Sequence, residues 1–379
     1  MRATTPWRRM VQRFQQRLLE IEVVNLEHVE RAIEQGHGLL LTPNHPGHAD
    51  CFLLWEALLK LGQPCHVMTA WQAFAMVRPW ERLLYRLHGC FSIDREGTDL
   101  QAFRHAVGVL AKSSNPLTIF PEGDVYHLND RVQPFRDGTA RIVLSAVKRG
   151  KRPVQWVPCA LRYEYVKDPT PELVQVMSEL EARLHWRPRP DLPLSARIYR
   201  FAEGMLKLKE IEYVGQASNG PLPERLTRLG DFILQRLEEQ YDIDHRAVGQ
   251  PERVKELRRV VIARQLELSP DEAAHEQLAN DLEDLFFVIQ LFSYPGDYVA
   301  DRASVERIAE TIDKFEEDFL DLKTARVRGT RRGWITFGEP IVVSDAGGRD
   351  AAQQLTAEAE QRVQSLLDDF STTEVRRSA

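Results

Sequence analysis

"GLLLTPNHPGHADCFLLWEALL", residues 38–59, changes its hydrophobic period partway along. Residues 38–43 form a short, unbroken apolar run, the pattern of a strand buried on both faces. From Asp50 to the stop at Gly62 the apolar residues recur at helical spacing. The Pro46-Gly47 dipeptide between them makes a turn. A strand feeding a helix through a tight turn is the opening of an α/β unit. This turn also carries His45, His48 and Asp50, a cluster with chemical potential.

The same alternation continues on both sides of the quoted stretch. Strands are predicted at 65–70, 90–95, 116–123 and 154–165, and helices at 78–89, 99–113 and 138–150. Strands separated by helices predict an α/β sheet with functional loops at the strand ends. After about residue 165 the character changes. Helices are predicted at 171–185, 195–208, 223–241, 251–268, 270–292 and 304–323, several opened by Pro or by Ser-Pro-Asp. A strand-like piece, "GWITFGEPIVV" (333–343), returns, and a last helix lies near 350–370. The expected organisation is a basic amphipathic N-terminal helix over 1–29, an α/β core over 30–165 and a helical insertion over 166–330. Residues 331–379 then supply a closing strand of the core and a C-terminal helix.

Composition narrows the function classes. The chain of 379 residues is 43% hydrophobic and 28% charged, the makeup of a soluble globular protein. Its net charge of −6 argues against a whole-protein nucleic-acid binder. Cys51, Cys65, Cys90 and Cys159 are widely spaced with no CxxC pair, which fits a reducing compartment. No stretch approaches the roughly 18 consecutive apolar residues that span a bilayer. Two segments instead have interfacial character. Trp7, Met10, Val11, Phe14 and Leu18 fall at helical spacing opposite several arginines, and residues 70–87 interleave Trp71, Phe74, Trp80 and Tyr85 with Arg78, Arg82 and Arg86. Both patterns suit a membrane surface and equally suit helices packed on their own core.

Three chemistries compete for the His/Asp cluster. On one regular helix a five-residue separation would set His45 and Asp50 roughly 140° apart. The turn relieves this, with His45 at the strand end and Asp50 in the first helical turn. An imidazole oriented by a carboxylate is what general-base catalysis requires. Alternatively His45, His48 and Asp50 supply three metal ligands, the reading of a metal-dependent hydrolase, although a zincin's i,i+4 histidine pair is missing. A polar turn with no chemistry is the third reading, and a non-catalytic lipid-binding scaffold would follow from it.

"NHPGHAD" (44–50) resembles the NHx4D motif of the glycerolipid acyltransferases, typified by 1-acylglycerol-3-phosphate acyltransferase. Further blocks follow in that family's order. "GCFSIDR" (89–95) is similar to the second block, "FPEG" (120–123) to the core of the third and "VPCAL" (157–161) to the fourth. "GEPI" (338–341) resembles the segment that commonly closes the domain. The resemblance implies a glycerol-3-phosphate acyltransferase-like mixed α/β sheet flanked by helices, here with a large all-helical insertion. It implies transfer of a fatty acyl group from acyl-CoA or acyl-carrier protein, as co-substrate, to a lysophospholipid. His45 would be the base and Asp50 its orienter. Arg95, Glu122 and Gly123 would bind the acceptor. No metal, cofactor or nucleic acid is expected, and the expected place is cytoplasmic, peripheral on the inner membrane face.

The chain also departs from the family. After "FPEG" the usual Thr-Arg-Ser is replaced by Asp124, Val125 and Tyr126, so the extra basic residue near the acceptor phosphate is missing. Arg131, Arg136 and Arg141 are the available substitutes. Residues 131–152 contain seven basic residues and one acid, Asp137, a patch suited to anionic lipid or the phosphates of coenzyme A.

Overall fold

The computed structural model describes residues 5–94, 99–150, 152–244, 249–267, 272–320, 322–345 and 347–378. The chain packs as two units, Met1–Glu172 with Thr324–Ala379, and Leu173–Lys323.

The first unit is a mixed α/β layer structure. Its eight-stranded sheet has the order β1-β7-β6-β2-β5-β3-β4, with β8 also paired to β6. The strands are β1 (Leu18–Val24), β2 (Gly38–Pro43), β3 (His66–Ala70), β4 (Cys90–Ile93), β5 (Leu117–Thr118), β6 (Val154–Lys167), β7 (Thr330–Phe337) and β8 (Ile341–Val343). β2 runs parallel to both β6 and β5, while β6 meets β7 and β8 antiparallel. Helices α2 (Glu27–Glu34) and α3 (Asp50–Lys60) cover one face; α6 (Leu100–Lys112), α7 (Gly138–Gly150) and α15 (Ala351–Ser378) cover the other.

The continuous apolar run of β2 follows from this burial. Leu39 and Leu41 join the core beneath α3, and Leu40 joins the opposite core beneath α6 and α7. Side chains alternate in direction along a strand, so a strand covered on both faces must be apolar at every position. The same parity governs β6. Val157, Cys159, Leu161 and Tyr163 share the α3 face, whereas Val154 and Trp156 share the other.

Three elements differ from their sequence expectation. The N-terminal helix stops early: α1 (Thr5–Met10) passes into a π-helical turn (Val11–Gln15), and residues 18–24 form β1 instead of continuing the helix. "LEIEVV" alternates apolar and acidic residues, and its pairing with β7 draws Leu18 into the core. The expected apolar stripe is also split, since Phe14 is 73% exposed while Arg8 is wholly buried against Glu56. The strand expected over 116–123 shrinks to two residues, because the chain turns at Pro121 to bring Glu122 beneath β2. The 333–343 segment divides at Gly338–Pro340 into β7 and β8, both on β6.

The second unit is helical. After α8 (Thr170–Arg183), which begins in the first unit, come α9 (Leu194–Val214), α10 (Leu222–Tyr241), α11 (Gln250–Glu267), α12 (Glu272–Phe292), α13 (Tyr298–Asp301) and α14 (Val305–Phe319). Its core joins Leu206 of α9, Ile233, Leu234 and Leu237 of α10, Leu257 of α11 and Leu285 of α12. Bidentate pairs lie buried within it: Arg225 grips Glu210 at 2.7 and 3.0 Å, and Arg253 grips Glu238 at 2.7 and 2.8 Å. Among the described residues no helix of either unit is long and apolar enough to cross a membrane.

Candidate active site

The carboxyl end of β2 delivers Asn44 and His45 at the middle of the sheet. The main chain of His45 is held on both sides. Its N–H donates to Oε1 of Glu122 at 3.0 Å, and its carbonyl accepts from the N–H of Tyr126 at 3.3 Å. The imidazole stacks on Phe120, with ring centroids 4.0 Å apart and planes 25° off parallel. Its Nδ1 lies 2.6 Å from Oδ2 of Asp50.

Asp50 is the first residue of α3. The turn closes through a hydrogen bond from its N–H to the Gly47 carbonyl at 3.3 Å. Its side chain is 0% exposed, a position where an uncompensated carboxylate would be costly. Three donors compensate it: Nδ1–H of His45, the Gly47 N–H at 3.2 Å on Oδ2, and the Tyr163 hydroxyl at 2.6 Å on Oδ1. The His45 side chain, by contrast, is 21% exposed. With Nδ1 given to a buried carboxylate, Nε2 is the nitrogen that can accept a proton from outside. This is the geometry of an oriented general base.

Glu122 is 3% exposed and is aimed at the backbone of the site. Burial pushes its carboxyl up to about 8, against the opposing pull of the His45 and Gln133 N–H groups. Gly123 has φ +85°, and a Cβ there would fall 2.5 Å from Cζ of Arg136. The left-handed backbone favours glycine here, and its bare Cα lets the Arg136 guanidinium lie against it. Arg136 also hydrogen-bonds the buried Tyr126 hydroxyl.

The other sequence-selected residues have different surroundings. The ring of His48 meets that of His127 edge-on at 5.6 Å. Among the described residues, His45, His48 and Asp50 do not bring three ligand atoms together. Arg95 and Lys151 lie outside the described residues. Arg141 is tied to Asp137 at 2.7 Å. Arg152 donates to the carbonyls of Leu110 and Ser113, which gives it the structural task of closing the end of α6. Burial pushes the Cys65 thiol up to about 12 and that of Cys90 to about 11, so neither is poised as a thiolate.

Sequence reasoning passed over Tyr163, Phe120 and two asparagines. Beyond Cys159, β6 has outrun β2, and side chains take the place of the missing strand. Asn44 exchanges two hydrogen bonds with the Leu161 backbone at 2.7 and 3.1 Å, and Asn129 does the same with Tyr163 at 2.6 and 2.7 Å. The strand thus stays extended far enough to carry Tyr163 to Asp50. Parity along β6 was the available signal, because Tyr163 falls on the α3 face with Leu161. Residues 20–162 match the family model described as Acyltransferase.

Proposed function

Because residues 20–162 match the family model described as Acyltransferase, we propose that this protein is a glycerolipid acyltransferase that moves a fatty acyl group from acyl-CoA or acyl-carrier protein to a lysophospholipid, 1-acyl-glycerol-3-phosphate being the default acceptor and phosphatidic acid the product. The observation that carries the reading is the His45–Asp50 pair, with Asp50 buried and Nε2 of His45 left for the acceptor.

An alcohol is a weak nucleophile at neutral pH, so its proton must leave as it attacks. In the proposed reaction Nε2 of His45 takes that proton while the acceptor oxygen bonds to the thioester carbonyl carbon. Asp50 stabilises the imidazolium. Collapse of the tetrahedral intermediate breaks the carbon–sulfur bond, and the imidazolium returns the proton to the departing thiolate. A positioned base is worth roughly 10²–10⁴ in rate. The chemistry needs no acyl-enzyme, and the thiols of Cys65, Cys90 and Cys159 are buried.

Arg95 and Glu122 are proposed to serve the acceptor, as the family blocks imply. Of the three arginines that could replace the missing basic residue, Arg136 is best supported. It packs on Gly123, next to the glutamate that holds His45, whereas Arg141 is engaged by Asp137. A planar, permanently charged guanidinium suits a phosphate. The proposed location is the inner membrane face, supported by the exposed residues Trp71, Met76, Trp80, Leu83 and Leu87 beside Arg78, Arg82 and Arg86.

The test is acyl transfer from radiolabelled oleoyl-CoA to lysophosphatidic acid in mixed micelles containing EDTA. The expected result is phosphatidic acid from the wild type and at least a ~100-fold loss in His45→Ala. Arg136→Ala is expected to raise the acceptor KM more than it lowers kcat. Activity abolished by EDTA would overturn the base mechanism in favour of a metal site. Absence of transfer from either donor to any lysolipid would leave a lipid-binding role instead.

A further inference from the structure

We infer that Tyr163 is a positioning residue for the catalytic pair, holding the Asp50 carboxylate in the plane that His45 needs; this rests on the reading of His45 as the base. Asp50 has two oxygens with different tasks. Oδ2 receives Nδ1–H of His45 and the Gly47 N–H, both from the turn that Asp50 itself closes. Oδ1 receives the Tyr163 hydroxyl at 2.6 Å, from a strand more than a hundred residues away. The turn contacts hold only Oδ2. The third donor, on the other oxygen and from the sheet, adds a second fixed point for the carboxylate plane.

Everything around Tyr163 serves to keep its hydroxyl in place. Asn129 brackets its backbone N–H and C=O, and the Arg331 guanidinium lies over its ring at 5.0 Å. The residue is buried on the α3 face of β6. Burial, with the Asp50 charge beside it, holds the phenol protonated and therefore a donor. A phenylalanine would fill the same space and keep the Asn129 and Arg331 contacts, so Tyr163→Phe removes little besides the hydroxyl. It strands Oδ1 of a wholly buried carboxylate without its partner.

The experiment uses the full chain labelled with [15N]histidine. The ring nitrogen shifts of His45, identified by their loss in His45→Ala, are compared between wild type and Tyr163→Phe. Altered His45 shifts are expected in the variant. Its kcat should fall roughly 10- to 100-fold, the range of a hydrogen bond to a charged group. The acceptor KM should stay within about twofold, because Tyr163 does not touch substrate. In an Asp50→Asn background the hydroxyl should matter less than about twofold, since it acts through that carboxylate. Unmoved His45 shifts, or the same kcat loss with and without Asp50, would overturn the inference. The nuclear shifts need no turnover, so failure of the acceptor assignment leaves this test decisive. Should Tyr163→Phe not fold, fluorotyrosine at position 163 keeps ring and hydroxyl while changing the donor strength. Unchanged His45 shifts in that protein would equally overturn the inference.

Discussion

His45 and Asp50 meet because the residues between them are not helical. A regular helix would hold the two apart, whereas Pro46 and Gly47 turn the chain so that imidazole and carboxylate lie 2.6 Å from each other. Glu122 completes the support from the turn after the neighbouring strand, and its burial has a measurable consequence. Its carboxyl is shifted from 4.5 to about 8 in the folded protein, so the proton is bound more tightly folded than unfolded. The associated stability is fully present below about pH 4.5 and is lost as pH rises through about 8. Glu122→Gln does not titrate and lacks this term. The wild-type melting temperature is therefore expected to fall relative to Glu122→Gln between those two values. Differential scanning calorimetry across that range checks it, and parallel curves would mean that Glu122 is ionised in the fold.

At the scale of elements, the segment after β3 stands out. It consists of α4 (Trp71–Ala75) and α5 (Pro79–Leu87), which follow the carboxyl end of a strand parallel to β2 through β5. Trp80 is 49% exposed, and Leu83 and Leu87 are more so, with Arg82 and Arg86 exposed beside them. The sequence pattern suited a membrane surface and a packed helix equally well, and the exposure shows only that Trp80, Leu83 and Leu87 are not packed on a core. Replacing Trp80, Leu83 and Leu87 together by serine is expected to lower co-sedimentation with phosphatidylglycerol vesicles more than tenfold, given ~1.5–3 kcal/mol for each buried apolar side chain. Salt should weaken wild-type binding as it screens the arginines. Equal binding by the triple variant would remove this surface from the proposal.

For the molecule as a whole, the two units depend on different interactions. The α/β unit is organised by a sheet covered on both faces, while the helical unit encloses buried Arg–Glu pairs along with its leucine core. Removing one partner of a buried pair leaves an uncompensated charge and costs about 3–5 kcal/mol. Arg225→Ala should therefore lower the urea midpoint of the helical unit by that much stability, while Arg141→Ala, whose partner Asp137 is exposed, should change stability by less than ~1 kcal/mol. Equal effects of the two would show that the buried pair is compensated by solvent.

Local pattern was enough for elements whose period matches their burial. β2, α7 and α10 lie within a residue of their expected bounds, because apolar runs and helical stripes follow directly from which faces are covered. The turn chemistry and the His45–Asp50 pairing were legible for the same reason, since both depend on residues only a few positions apart. β1 was missed because an edge strand is only half covered, and its alternation was masked by the helical stripe ahead of it. Of the partners of the pair, Glu122 was reached only through the family motif and Tyr163 not at all. Tyr163 and Glu122 approach His45 and Asp50 across 77 to 113 residues, through strand order and register that no local period encodes. Sequence alone thus determined that His45 and Asp50 meet. Tertiary structure decided what holds it, because the parity of β6 and the turn after β5 acquire meaning only once those strands flank β2.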